Sequence, residues 1–111
     1  MQAPAAVQVG RVTAVYWSNA ATATALAELA DRSGPWPGIP DPPVRPIRLV
    51  LATTAAQFDS LTRGRVPEWG AAATFPARRT IVLKLSADHR RVLRHELAHL
   101  ALHSVVRQVP R

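Results

Sequence analysis

Apolar positions along the chain switch between a two-residue and a helical period, and the switches divide it into six elements. GRVTAVYWS, residues 10–18, sets Val12, Ala14 or Val15 and Trp17 among polar neighbours, the alternation of a short strand. Ser18 or Asn19 is placed to cap the following ATATALAELADR, whose Leu26, Leu29 and Ala30 share one helical face. Gly34 is the expected stop of that helix. From Ile47, IRLVLA is β-branched and apolar between Pro46 and a pair of threonines, the pattern of a buried strand. Thr54 with Gln57 has capping-box spacing and opens a helix through about Leu61. TIVLKL, residues 80–85, is a third strand. A last helix is expected from Ala87 to about Val106, with Ser86 as its N-cap and Asp88 at its positive end.

Two stretches break the pattern. Residues 33–46, SGPWPGIPDPPVRP, hold prolines that lack donors and push their neighbours into extended or turn conformations. They form a Pro-rich connection inside one domain, since what precedes them is too short to fold alone. RGRVPEWGAAATFPARR, residues 63–79, has turn signals at Gly64, Pro67, Gly70 and Pro76 and is expected as a long loop. The order β-α-β-α-β-α describes an α/β (α+β) layer, a small sheet packed against helices. Strand direction stays open at this level.

Composition narrows the function. A chain of 111 residues fits one domain, 1–111, with one modest core, and 48% hydrophobic content suits a folded chain. No apolar run approaches the roughly 20 residues of a membrane span, and MQAPAAVQVG lacks the charged and apolar regions of a signal peptide. The absence of cysteine excludes disulfides, thiolate zinc sites and cysteine nucleophiles. The net charge of +7 comes from arginines scattered from Arg11 to Arg111, without a long block or much aromatic interleaving. That distribution describes a solvated surface and not a nucleic-acid interface.

The chemistry is concentrated in RHELAHLALH, residues 94–103. Helical positions i and i+4 lie about 40° apart in azimuth and about 6 Å along the axis. The imidazoles of His95 and His99 can therefore converge on one zinc ion at about 2.0–2.1 Å. Glu96 is turned about 100° from His95, beside the ion's open position, where it can act as general base for a zinc-activated water. Leu93, Leu97, Leu100, Ala101 and Leu102 flank the motif and imply a mostly buried helix whose polar groups need partners. His103 lies about 12 Å from His95 along the axis, out of reach of the same ion, and is expected as a partly exposed residue. A metzincin arrangement would need glycine at 102 and histidine at 105, where the chain has Leu102 and Val105. His89 is expected to cap the helix or face solvent.

On IRLVLATTAAQF (47–58), VPEWGAAATFPARRTIVL (66–83) and RHELAHLALH (94–103), the chain resembles the gluzincin-type zinc peptidases, specifically the small peptidase-MA-like domains. The resemblance implies a zincin-like N-terminal subdomain, with His95 and His99 as zinc ligands, Glu96 as general base, and peptide or protein substrates. It also implies that Thr80–Leu85 is the edge strand above the cleft, where an extended substrate adds as a further strand, with Arg78 and Arg79 nearby. It is compatible with an extracytoplasmic location.

Gluzincins take their third ligand from a glutamate on a further helix. Here Val109–Arg111 resembles the lead-in to that segment, and neither Glu28 nor Glu68 lies on a matching stretch. The expectation is a domain incomplete at its C-terminus, binding zinc weakly, hydrolysing peptides poorly or not at all, and self-associating through apolar surface left uncovered. The alternative is a non-catalytic interaction module on a zincin scaffold.

Overall fold

The computed structural model describes residues 3–33, 46–63 and 71–108, with side chains in the last helix described as far as His103. Five strands form one mixed sheet: β1 (Ala5–Val9), β2 (Val12–Tyr16), β3 (Ile47–Ala52), β4 (Ala72–Phe75) and β5 (Thr80–Lys84). Among the described residues three helices pack on it, α1 (Ala20–Asp31), α2 (Ala55–Thr62) and α3 (His89–Gln108). The strand order is β1-β2-β3-β5-β4. β2, β3 and β5 run parallel, and each edge strand is antiparallel to its neighbour. The expected α/β architecture is present, with two strands more than the apolar pattern contains.

Both additional strands are edges. β1 joins β2 through a two-residue turn, Gly10–Arg11, with Val9 opposite Val12. Gly10 has φ +56°, and glycine at the first central position is what a tight two-residue hairpin turn of this kind favours. β4 lies inside the stretch expected to be a loop and continues into a single 3-10 turn, Pro76–Arg78. Ala-Ala-Thr-Phe has no alternation of its own. It is a strand because β5 offers it a ladder, with Ala72 opposite Leu83 and Phe75 opposite Thr80. The edge of the sheet beside α3 is therefore Ala72–Phe75, and Thr80–Lys84 is internal, between β3 and β4.

Two of the three helix starts follow the sequence. Asn19 caps α1, its side chain accepting from the Thr22 N–H at 3.1 Å. The hydroxyl of Thr54 accepts from the Gln57 N–H at 3.1 Å, and the Gln57 side chain returns to the backbone N–H of Thr53 at 2.7 Å. The box thus closes one residue before the cap. α3 begins at His89, two residues later than expected, and Ser86 contributes its carbonyl to the His89 N–H at 3.4 Å. α1 ends at Asp31, where the Arg32 N–H donates to the Glu28 carbonyl. Gly34, most of the Pro-rich connection, and Gly64, Pro67 and Gly70 lie outside the described residues.

The pleat sorts the core. Val12, Ala14, Leu49, Leu51, Ile81 and Leu83 point to one face and meet Leu26 of α1 with Leu93, Leu97 and Leu100 of α3. Val15, Val50, Ala52 and Val82 point to the other face and meet Phe58 of α2. β3 and β5 contribute to both clusters, which is why IRLVLA and TIVLKL read as continuous apolar runs.

Candidate metal centre

α3 presents its functional side chains according to the turn of the helix. Leu93, Leu97, Leu100 and Ala101 are buried against the sheet and α1. His95 and His99 point the opposite way and are exposed, and Glu96 on the flank toward β4 is half-buried. Burial therefore does not demand partners for the two histidines. Leu102, expected among the buried flanking residues, is 49% exposed and shares the outward side of the helix with the pair.

The two imidazoles meet. Nε2 of His95 and Nε2 of His99 are 2.9 Å apart, a hydrogen bond in which one ring donates and the other accepts. The rings stand edge-on, centroids 4.5 Å apart at 85°. Two nitrogens on a tetrahedral zinc at about 2.0–2.1 Å would be separated by about 3.3 Å. Opening the pair by a few tenths of an ångström converts the hydrogen bond into a two-ligand cradle, so donor type and spacing fit zinc. Among the described residues, no group of three or more His, Asp or Glu side chains converges on one point. Glu28 is engaged with Arg32 on α1 at 3.4 Å, and Glu68 lies outside the described residues.

Glu96 has a partner that the sequence did not reveal. The hydroxyl of Thr74, on β4, donates to Glu96 Oε2 at 2.5 Å. Thr74 stands opposite Ile81 in the ladder, so its side chain shares the face of the sheet on which α3 lies. The bond ties the carboxylate to the edge strand. Only the β4–β5 register could have exposed this link, because Thr74 sits in a stretch without strand periodicity.

The backbone of that edge is also assigned by the ladder. The Lys84 N–H donates to the Ala71 carbonyl at 2.9 Å. In an antiparallel pair, alternate residues turn their backbone groups toward the partner. Residues 73 and 75 therefore face β5, while Ala72 and Thr74 turn their N–H and C=O groups outward, beside Glu96.

The other two histidines lie toward the same flank as Glu96. His103 is half-buried, as expected of a partly exposed helix residue. His89 does not simply face solvent: it is half-buried, and its Nδ1 is buried without a hydrogen-bond partner. Among the described residues, no helix is long and apolar enough to cross a membrane. No family model, no curated protein and no solved structure matches this chain.

Proposed function

We propose that this chain carries the helix-borne half of a gluzincin-like zinc peptidase centre, with His95 and His99 as ligands and Glu96 as general base. One observation carries the proposal: the two Nε2 atoms of a His-Glu-x-x-His helix lie 2.9 Å apart on its open side, with Glu96 beside them. Zinc, when bound, supplies Lewis acidity toward a peptide carbonyl and lowers the pKa of a water. The chain's own groups do the rest. Glu96 holds a proton at its carboxylate and returns it to the leaving amine. Thr74 keeps that carboxylate aimed along the edge strand. The outward backbone groups of Ala72 and Thr74 can pair with an extended peptide, giving sequence-tolerant binding by strand addition.

A catalytic zinc ordinarily takes three protein ligands, and two imidazoles supply two. The third ligand is assigned to a residue outside the described set or to another chain. With only two, zinc binding is weak and hydrolysis poor. A second reading, a non-catalytic module that captures extended peptides on β4, is favoured by the place of β4 at the edge of the sheet.

Zinc titration and peptide hydrolysis in the native chain and in Glu96→Gln and His95→Ala variants separate these readings. The peptidase reading expects zinc affinity to fall at least tenfold in His95→Ala and to persist in Glu96→Gln, with any hydrolysis lost in both. Hydrolysis unchanged in Glu96→Gln would overturn the role of Glu96. Peptide binding that is indifferent to zinc and to both substitutions would favour the binding module.

A further inference from the structure

On the face of the sheet opposite α3, a groove of about 680 Å³ runs beside the C-terminal end of α2. That volume lies within the range of small-molecule sites. Its floor is formed by Val15, Val50 and Val82, one from each parallel strand, and its walls include Trp17, Leu61 and Phe75. Three arginines, Arg48, Arg63 and Arg78, also line it, and among the described residues no aspartate or glutamate does. None of the three guanidinium groups has an ion-paired or hydrogen-bonded partner among the described residues. Arg48 stands opposite Thr80 in the β3–β5 ladder, and the Thr80 hydroxyl donates to the Arg78 carbonyl at 2.9 Å. Arg48 and Arg78 therefore arise from adjoining backbone at one end of the groove.

The polar capacity of the lining is restricted. The Thr80 hydroxyl is engaged as just described, and that of Thr62 donates to the Phe58 carbonyl at 2.9 Å. The charged side chains of the lining are the arginines; the Trp17 indole N–H adds one neutral donor, the two threonine hydroxyls keep only lone pairs that accept, and the rest of the surface is aliphatic or aromatic. A sugar or nucleotide would leave its hydroxyls and ring nitrogens against valine, at a cost in unmade hydrogen bonds. An unbranched chain with a single anionic head meets both requirements.

We propose that this groove binds a medium-chain alkyl carboxylate, the tail along Val15, Val50 and Val82 and the head on Arg48 and Arg78. Guanidinium and carboxylate match in planar, two-bond geometry, and the aliphatic stems of the arginines extend the apolar wall up to the charged head. The site lies on the opposite face of the sheet from the histidine pair, and it stands or falls independently of the peptidase reading.

Calorimetric titration of the full chain with octanoate, decanoate and decanol, below their aggregation limits, tests it directly. Decanoate is expected to bind one per chain and to shift tryptophan emission, with the shift lost in Trp17→Phe. Two added methylenes tighten binding about tenfold from octanoate to decanoate. Decanol binds at least tenfold more weakly than decanoate, the worth of a charge-assisted hydrogen bond. Arg48→Gln with Arg78→Gln weakens decanoate about tenfold and leaves decanol unchanged. No binding of decanoate, equal binding of decanol, or indifference to chain length would each overturn the proposal. So would displacement of decanoate by tetra-aspartate at a lower concentration, which would assign the groove to an acidic peptide. The three-ligand comparison on the unaltered chain decides the matter even if the double variant folds poorly.

Discussion

At Gly10 the backbone turns between β1 and β2 with φ +56°, and a Cβ added there would fall 2.4 Å from the Asp31 carboxylate oxygens. That carboxylate accepts from the Arg11 N–H at 3.1 Å and lies 3.9 Å from the Arg11 guanidinium, fastening the end of α1 to the hairpin. Gly10→Ala therefore combines backbone strain with a displaced hydrogen bond. It is expected to lower unfolding free energy by about 1–3 kcal/mol in a urea titration. A loss below about 0.5 kcal/mol would show that Asp31 moves aside freely. Thr74 makes the second residue-scale case. Thr74→Val keeps shape and removes the donor to Glu96, costing about 1 kcal/mol because the carboxylate is only half-buried. Combined with Glu96→Ala, which removes the acceptor, the two changes are expected to be less than additive, the signature of one shared interaction in a double-mutant cycle.

At the scale of elements, caps and apolar runs carry most of what was legible. Asn19, Thr54 and Gln57 act where their spacing places them, because a cap is a contact among residues three or four apart. β4 was illegible for the opposite reason. Its four residues are each half-buried, so burial impressed no alternation on them, and their strand conformation comes from pairing with β5. The consequence reaches the candidate site, since the edge nearest Glu96 belongs to β4 and not to Thr80–Lys84. Ala72→Pro offers a test, because proline removes an outward N–H at the first residue of an edge strand without breaking the β4–β5 ladder. It is expected to leave thermal stability within about 0.5 kcal/mol and to weaken binding of extended peptides several-fold in a fluorescence anisotropy assay. Unchanged peptide affinity would move the binding surface away from β4.

Across the whole molecule, α1 and α3 cover one face of the sheet, and α2 covers part of the other through Phe58. The outward side of α3 has no such cover among the described residues: His95 and His99 are exposed, and Leu102 is 49% exposed. Leu102 is the exposed large apolar side chain on this side, next to the two imidazoles among the described residues. Association through this side is expected in sedimentation as a concentration-dependent shift that weakens in Leu102→Ser. A monodisperse monomer at all concentrations would remove that expectation.

The local pattern of the chain sets the apolar runs, the caps of α1 and α2, and the alignment of His95 with His99. All of these follow from contacts within one or two turns of chain, where helix and strand geometry act alone. The i, i+4 spacing was sufficient to bring the two Nε2 atoms within 2.9 Å. What the histidines face, which strand forms the edge, and which hydroxyl holds Glu96 depend on segments distant in sequence. Thr74 and Glu96 are 22 residues apart. They meet only because β4 adds antiparallel to β5 while α3 packs over both, and such pairing is selected by the assembled sheet and leaves no periodicity in the chain.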